Sequence, residues 1–246
     1  MGVAELVERG VKKFAPVYER VNGGYFGIAG AIAGVVTIGI ASILYAMLEP
    51  FTIFSHWISN LGGAWTNAGT PSNGANVVFS VGLIVIAVLV VFFVMFLLNL
   101  LFTGNQKQKW LLVVMLLSGM VALVGILAVA FFDLKSAPSI HTFGAILFFF
   151  GGCFIMLFFS LATFFHTGFS RWQGLFGLVA AAIGSVFLFA FLPHLIAGED
   201  LVSIIVSTSQ APDITFLRFW EWMWLFAFLA WVFETGVYTR KKSIEN

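Results

Sequence analysis

The chain has 246 residues, of which 61% are hydrophobic and 9% are charged, and its mean hydropathy is +1.03. This composition excludes a water-soluble globular domain and indicates an integral membrane protein. The net charge of +1 leaves no basic groove and argues against nucleic acid as a partner. Cys153 lies in an apolar run, and because it is the single cysteine an intrachain disulfide is excluded.

The first segment, residues 1–20, is charged and amphipathic. Its apolar residues recur at helical spacing, and its charged residues occupy the rest of the helical wheel. This pattern predicts an interfacial helix that lies on the membrane surface. We do not expect a cleavable signal peptide, because no apolar stretch precedes Phe26.

Six apolar runs follow, each close to the roughly 20 residues that cross about 30 Å of hydrocarbon as an α-helix. We place them at residues 26–48, 76–102, 110–132, 141–165, 173–197 and 215–238. The connectors from the second run to the fifth are short, so these helices are expected to be antiparallel neighbours. The sequence therefore predicts an all-α membrane protein, a six-transmembrane-helix bundle that forms a single polytopic domain.

Charge predicts the orientation of this bundle. Ten of the twelve basic residues fall on one side of the predicted membrane, in the N-terminal segment, two connectors and the C-terminal tail. Only Lys135 and Arg218 fall on the other side. The positive-inside rule therefore predicts cytoplasmic N- and C-termini, and the compact loops fit a prokaryotic cytoplasmic membrane.

Small and aromatic residues predict how the helices pack. Gly30 and Gly34 form a GxxxG pattern in the first span, and the fourth and fifth spans carry further glycines. Such residues allow close approach of helix backbones, and we expect contacts within the chain. The tryptophans at span starts are expected to be interfacial anchors. They are Trp110, Trp172, Trp220, Trp222 and Trp224.

The first extracytoplasmic loop, residues 49–76, is the longest polar stretch between spans. Its apolar residues recur at spacings of three and four from Phe51 to Leu61, which predicts a structured loop with a helix in the outer interface. Gly62 and Gly63 would end this helix. The polar face would point inward over the bundle, and it carries Ser55, His56, Ser59 and Asn60.

Polar side chains gather on the same side of the predicted membrane. Three of the four histidines are there, and Asp133 and His141 flank a short connector and could hydrogen-bond to each other. Arg218 and Glu221 are three residues apart and are expected to pair at headgroup level, although an ionisable group this deep is also a functional candidate. The candidate ligand-binding residues are Ser55, His56, Ser59, Asn60, Asp133, His141, His194 and Glu221.

Two stretches resemble a known family. One is Pro50 with the run SHWISNLG at residues 55–62, followed by a span that starts near Asn76; the other joins residues 132–133 to residues 140–142 at the start of the fourth span. These stretches resemble the damage-regulated autophagy modulator superfamily and its allied prokaryotic six-span membrane proteins of unknown function.

The resemblance implies a lipid-facing role without naming a reaction, since the eukaryotic members of this superfamily are linked to lipid handling in lysosomal, Golgi and plasma membranes. The family more often has Asp where Asn60 stands. This difference removes a charge and weakens any acid–base role at that position.

The leading hypothesis is a lipid-interacting membrane protein without a cofactor, whose polar pocket beneath the 49–76 loop binds a membrane lipid or a protein partner. Whether the protein is an enzyme stays open. The alternative is a ceramidase-like, zinc-dependent lipid hydrolase with His56, His141 and His194 as metal ligands, although the HxxxH pair of those enzymes is absent. A small-molecule transporter and a b-type haem protein with His141 and His194 as axial ligands rank lower.

Overall fold

The computed structural model describes residues 2–102, 105–207 and 209–245, apart from the side chains of residues 195 and 242–245. Six of its helices are long and apolar enough to cross a membrane, which confirms the predicted six-span architecture. They are α3 (Gly24–Ala46), α4 (Ala75–Leu101), α5 (Gln106–Phe131), α6 (Pro138–Phe164), α7 (Arg171–Ala190) and α10 (Pro212–Glu245).

Short helices complete the described part of the chain. They are α1 (Val3–Lys12), α2 (Ala15–Arg20), a 3₁₀ helix (Ile58–Gly62), α8 (Leu192–Ile196) and α9 (Leu201–Val206). Local capping sets several boundaries. The Asn105 side chain accepts a hydrogen bond from the Gln108 N–H at 3.0 Å, so α5 begins before the apolar run predicted for it. Pro138 opens α6, where its missing N–H costs no hydrogen bond.

The six long helices form a ring. Consecutive helices α3 to α7 pack side by side, and α10 closes the ring by packing against both α7 and α3. Large aromatic side chains fill the space inside, including the fully buried Phe93, Phe159 and Trp231. Asn22 and Arg240 are joined by a hydrogen bond of 3.3 Å, so the beginning of α3 and the end of α10 lie together at one end of the ring. We call this the terminal end.

Glycines allow the closest helix contacts, as predicted. A Cβ atom built on Gly125 of α5 would lie 2.3 Å from the backbone nitrogen of Phe148 in α6. One built on Gly34 of α3 would lie 2.6 Å from Leu229 in α10. The predicted intrachain packing role is therefore confirmed for Gly34, and Gly125 has the same role although the sequence analysis did not single it out.

The prediction of interfacial anchors is wrong for two of the five tryptophans. Trp222 and Trp224 are only 2% and 0% exposed, because they lie on the face of α10 that points into the ring. The indole of Trp224 donates a hydrogen bond to the Cys153 sulfur at 2.9 Å. Trp172, by contrast, is 75% exposed at the start of α7, as expected of an anchor.

The N-terminal segment also differs from the predicted single helix. It forms α1 and α2, which break apart at residues 13–14 just before Pro16. Val11 is buried where α1 packs on α4 and α5, and Glu8 forms an ion pair of 2.8 Å with Lys109. This segment is therefore docked onto the terminal end of the bundle.

Candidate functional site

The opposite end of the ring is covered by residues 50–74, which we call the cap. The helix predicted from Phe51 to Leu61 is wrong: a turn at Thr52–Ser55 is followed by extended backbone at Trp57 and then by the 3₁₀ helix. The hydroxyls of Thr52 and Ser55 lie 2.7 Å apart and also bond to nearby backbone groups. These side chains compete with the backbone hydrogen bonds of a helix. The apolar spacing alone therefore predicts a helix that does not form.

Much of the cap is buried, so it is not simply a polar surface facing water. The whole 3₁₀ helix is buried and ends at Gly62 and Gly63, where the sequence predicted a stop. Asn60 supports this turn from within, because its side-chain oxygen accepts a hydrogen bond from the Trp57 N–H at 2.8 Å. The role of Asn60 in the structure is thus to hold the cap backbone.

Glu49 anchors the cap to the end of α3. Its carboxylate accepts hydrogen bonds from the Ala68 N–H at 2.6 Å, the Tyr45 hydroxyl at 2.8 Å and the Asn67 N–H at 3.2 Å. The Nε2 atom of His56 lies 3.0 Å from the same carboxylate. One buried acidic side chain therefore ties two distant parts of the cap to the bundle.

Two opposing effects act on the pKa of Glu49. Burial alone would raise this pKa, because it penalises the charged form. Hydrogen bonds from Ala68, Tyr45, His56 and Thr66 outweigh burial and lower the pKa from 4.5 to about 2. The ionised form of Glu49 is the form that holds the cap.

We expect acid to loosen the cap through Glu49. Since its pKa is lower in the folded protein, the stability that it contributes is fully present above about pH 5 and is lost as the pH falls towards about 2. Thermal unfolding of the wild type and of Glu49→Gln, measured from pH 6 to pH 3, tests this. The wild type should lose more stability over this range; equal losses in both proteins would contradict the assignment.

A second set of anchors comes from α10. The Glu221 carboxylate accepts a hydrogen bond from the Ile58 N–H at 2.7 Å, and the Trp222 indole donates one to the His56 carbonyl at 3.0 Å. The 3₁₀ helix and the residues before it are therefore fixed over the ring.

The predicted pair of Arg218 and Glu221 does not form an ion pair in the described part of the chain. The guanidinium of Arg218 donates to the carbonyls of Ser207 and Ser209 at 2.6 and 2.8 Å and lies 5.6 Å from the Trp57 ring centre. Those carbonyls belong to the segment between α9 and α10. Arg218 therefore stabilises that segment, while Glu221 contacts the cap.

Two cavities lie directly beneath the cap, with volumes of about 50 and 80 Å³. The smaller is bordered mainly by α3, α4, α6 and α10, and the larger by α6, α7, α9 and α10. Both are bordered by the same three polar residues, Ser59, His141 and Glu221. We call these three residues the polar trio. The walls around them are almost entirely apolar.

His141 is the most unusual member of the polar trio. It is only 1% exposed, and its Nδ1 atom lies 2.7 Å from the carbonyl oxygen of Phe132. Its Nε2 atom is buried and has no hydrogen-bond partner among the described residues. Buried polar groups are nearly always satisfied, so an unpaired ring nitrogen beside two cavities makes His141 a candidate ligand-binding residue.

Asp133 does not form the expected hydrogen bond to His141. Its carboxylate instead accepts from the N–H groups of Lys135 and Ser136 and from the Ser136 hydroxyl, which closes the connector between α5 and α6. Burial acts to raise the Asp133 pKa, but these hydrogen bonds and the nearby His141 lower it overall. The role of Asp133 in the structure is to cap this turn.

The structure separates the three predicted metal ligands. His56 belongs to the Glu49 cluster, together with Ser55, whose hydroxyl lies 2.7 Å from the His56 ring. His194 lies 2.9 Å from Glu199 and borders neither cavity of the polar trio. Among the described residues, no group of three or more His, Cys, Asp or Glu side chains could hold a metal ion. The ligand geometry that a zinc hydrolase needs is therefore missing from this arrangement.

A third and larger cavity of about 180 Å³ lies between α4 and α5 and is lined by apolar side chains apart from Gly119. It shares four lining residues with the 50 Å³ cavity, namely Ile86, Ile126, Phe148 and Phe228. The cavities are therefore neighbours, and we call them the cavity row: it begins with the apolar cavity between α4 and α5 and ends at the polar trio. Hydropathy gives no sign of this row, because all four shared residues are ordinary apolar span residues.

The sequence contains a signal for one further residue, Glu49, which is not among the predicted site residues. Glu49 is the only charged residue in the 49–76 segment, so it is the only side chain there that could supply an ionic anchor. Tyr45, its partner, gives no such signal, because an aromatic residue near a span end is expected in any membrane protein. No protein-family model, no curated protein and no solved structure significantly matches the chain.

Proposed function

We propose that this protein binds a membrane lipid at the polar trio, with the lipid chain extending into the row of apolar cavities. The observation that carries this proposal is that the three cavities lie next to one another. Shared lining residues join the 180 Å³ cavity to the 50 Å³ cavity, and the polar trio joins the latter to the 80 Å³ cavity. A polar end that continues into an apolar row matches the shape of an amphiphile.

The cavity sizes limit how much of the lipid is enclosed. A dry cavity of about 150 Å³ holds one benzene molecule, so the row accommodates a polar headgroup and segments of a chain rather than a whole phospholipid. The rest of the chain would remain in the bilayer. Because lipid and protein interiors are equally apolar, the polar contacts supply the selectivity.

The proposed orientation places the cap outside the cytoplasm. Basic residues lie near the terminal end, including Lys109, Arg171 and Arg240, whereas Lys135 and Arg218 lie towards the cap end. By the positive-inside rule the termini are then cytoplasmic, in a prokaryotic cytoplasmic membrane. The stretch that resembles the autophagy-modulator superfamily builds the cap, in keeping with a lipid-related role.

Filling the cavities should strongly reduce lipid retention. Ala145 borders both cavities of the polar trio, so Ala145→Leu introduces a larger side chain where the headgroup would lie. We expect about a tenfold loss of bound lipid, measured by native mass spectrometry of protein released from nanodiscs. Ala182→Leu is the matched control, because Ala182 is exposed on α7 and borders none of the three cavities.

Thermal unfolding of both variants is measured to check that the fold is intact. The proposal fails if the folded wild type retains no lipid above the bulk nanodisc composition. It fails equally if Ala145→Leu and Ala182→Leu retain as much lipid as the wild type.

A further inference from the structure

The polar trio presents hydrogen-bond acceptors to the cavities. The Nδ1 atom of His141 faces the Phe132 carbonyl, which can only accept, so Nδ1 carries a hydrogen. In the neutral ring, Nε2 is then an acceptor with a free lone pair. A doubly protonated ring would leave a buried, unpaired cationic N–H, which is more costly.

Glu221 adds a carboxyl group at the same place. It is only 4% exposed, and its hydrogen bond from the Ile58 N–H is its one hydrogen bond among the described residues. The guanidinium of Arg218, three residues away in sequence, is bonded to carbonyl groups in another segment. A carboxylate in an apolar setting needs a cationic partner, and the described side chains form no ion pair with Glu221.

We propose that the ligand is a single-chain aliphatic amine whose ammonium group donates hydrogen bonds to His141 and Glu221. This inference rests on the proposed lipid-binding function and deepens it by naming the headgroup chemistry. An ammonium group has three donors and no acceptor, which complements a site made of a lone pair, a carboxylate and the Ser59 hydroxyl. A phosphate headgroup would instead meet a carboxylate, and the nearby Arg218 guanidinium is bonded to the carbonyls of Ser207 and Ser209, so the contact with Glu221 is repulsive.

The size of the site favours a ligand with one hydrocarbon chain. The cavities on either side of the trio measure about 50 and 80 Å³, and only the former shares lining residues with the 180 Å³ cavity. The hydrocarbon chain would therefore lie towards the 180 Å³ cavity. The 80 Å³ cavity on the other side of the trio is too small for a second chain of similar length.

Competition binding tests the headgroup. The full chain in zwitterionic phosphatidylcholine nanodiscs is loaded with radiolabelled hexadecylamine and challenged with hexadecylamine, hexadecanol or hexadecyl phosphate, with empty nanodiscs subtracted. We expect the amine to compete at least about tenfold better than the alcohol, because hydrogen bonds to charged groups exceed neutral ones. The phosphate should compete more weakly than either.

Glu221→Gln removes the charge but keeps an oxygen that can accept from Ile58. We expect amine affinity to fall about tenfold, to the level of the alcohol, with alcohol affinity nearly unchanged. Glu199→Gln is the matched control, since Glu199 has a half-exposed side chain and borders none of the cavities. If Glu221→Gln does not fold, His141→Phe removes the other acceptor at similar volume and should reduce amine affinity by about fivefold.

The outcomes separate this inference from the proposed function. Equal affinities for amine and alcohol, both abolished by Ala145→Leu, would overturn the amine assignment and leave lipid binding intact. If Ala145→Leu affects none of the three compounds and the protein retains no lipid, both proposals fail, and water alone would satisfy the polar trio. An unchanged preference for the amine in Glu221→Gln would also overturn the assignment.

Discussion

Replacing Glu49 by alanine is expected to detach the cap from the bundle and to lower the free energy of unfolding by about 3–5 kcal/mol. Three groups lose their acceptor at once: the Tyr45 hydroxyl, the His56 ring and the N–H group of Ala68. The Asn67 N–H keeps one acceptor, the Tyr45 hydroxyl oxygen, at 3.1 Å. Each buried donor left without a partner costs about 1–3 kcal/mol, although water can reach some of them once the cap moves.

Limited proteolysis and thermal unfolding measure this effect together. The cap should become sensitive to cleavage between residues 63 and 74 in Glu49→Ala. Glu199→Ala is the control, because Glu199 has a half-exposed side chain and its ion pair with His194 is expected to contribute less than about 1 kcal/mol. If the cap of Glu49→Ala resists protease as well as that of the wild type, Glu49 is not its anchor.

Release of the cap in Glu49→Ala should also weaken ligand binding. Ser59 belongs to the 3₁₀ helix of the cap, and Glu221 reaches this helix through the Ile58 N–H. Release at Glu49 therefore removes one member of the polar trio and exposes the other two to water. The same variant should lose lipid retention even though Glu49 borders none of the three cavities.

The long helices were predictable because one physical requirement dominates them. A backbone in hydrocarbon must satisfy its own hydrogen bonds, so a run of about 20 apolar residues has almost no alternative to a helix. The boundaries differ by a few residues where a local cap decides them, as Asn105 does for α5.

The cap could not be predicted in this way, because its conformation depends on distant partners. The apolar spacing from Phe51 to Leu61 favours a helix, but Glu49 and Glu221 bind backbone N–H groups of a different conformation. One of these partners is 163 residues away from Ile58 in the sequence. A local pattern contains no information about such contacts.

Only part of the candidate site could be predicted from the sequence, for a related reason. Charge and hydropathy place a residue at one end of a span, but they do not say whether its side chain points into the ring. His141 and His194 were equivalent by sequence, yet one borders both cavities of the polar trio and the other pairs with Glu199. Six helices without a strong amphipathic stripe leave this rotation undetermined, so the convergence of Ser59, His141 and Glu221 required the structure.

A second large loss of stability is expected from a substitution at the contact between α5 and α6. A methyl group at Gly125 would lie 2.3 Å from the Phe148 nitrogen and 2.5 Å from the Gly144 carbonyl oxygen. Both are backbone atoms, so no side-chain rotation relieves the clash and the two helices must separate by about 1 Å. We expect Gly125→Ala to lower the free energy of unfolding by about 3 kcal/mol, and the melting temperature by about 6–12 °C.

Gly119→Ala on the same helix is the matched control. Its methyl group would meet only the side chains of Ile155 and Val94, both at 3.9 Å, which is ordinary van der Waals contact. Since Ala also favours a helix over Gly by up to about 1 kcal/mol, this variant should be as stable as the wild type or slightly more stable. Equal melting temperatures for the two variants would mean that α5 and α6 are farther apart than the structure places them. A large difference would establish that backbone contact, rather than apolar surface, sets the spacing of these two helices, which also form walls of the cavity row.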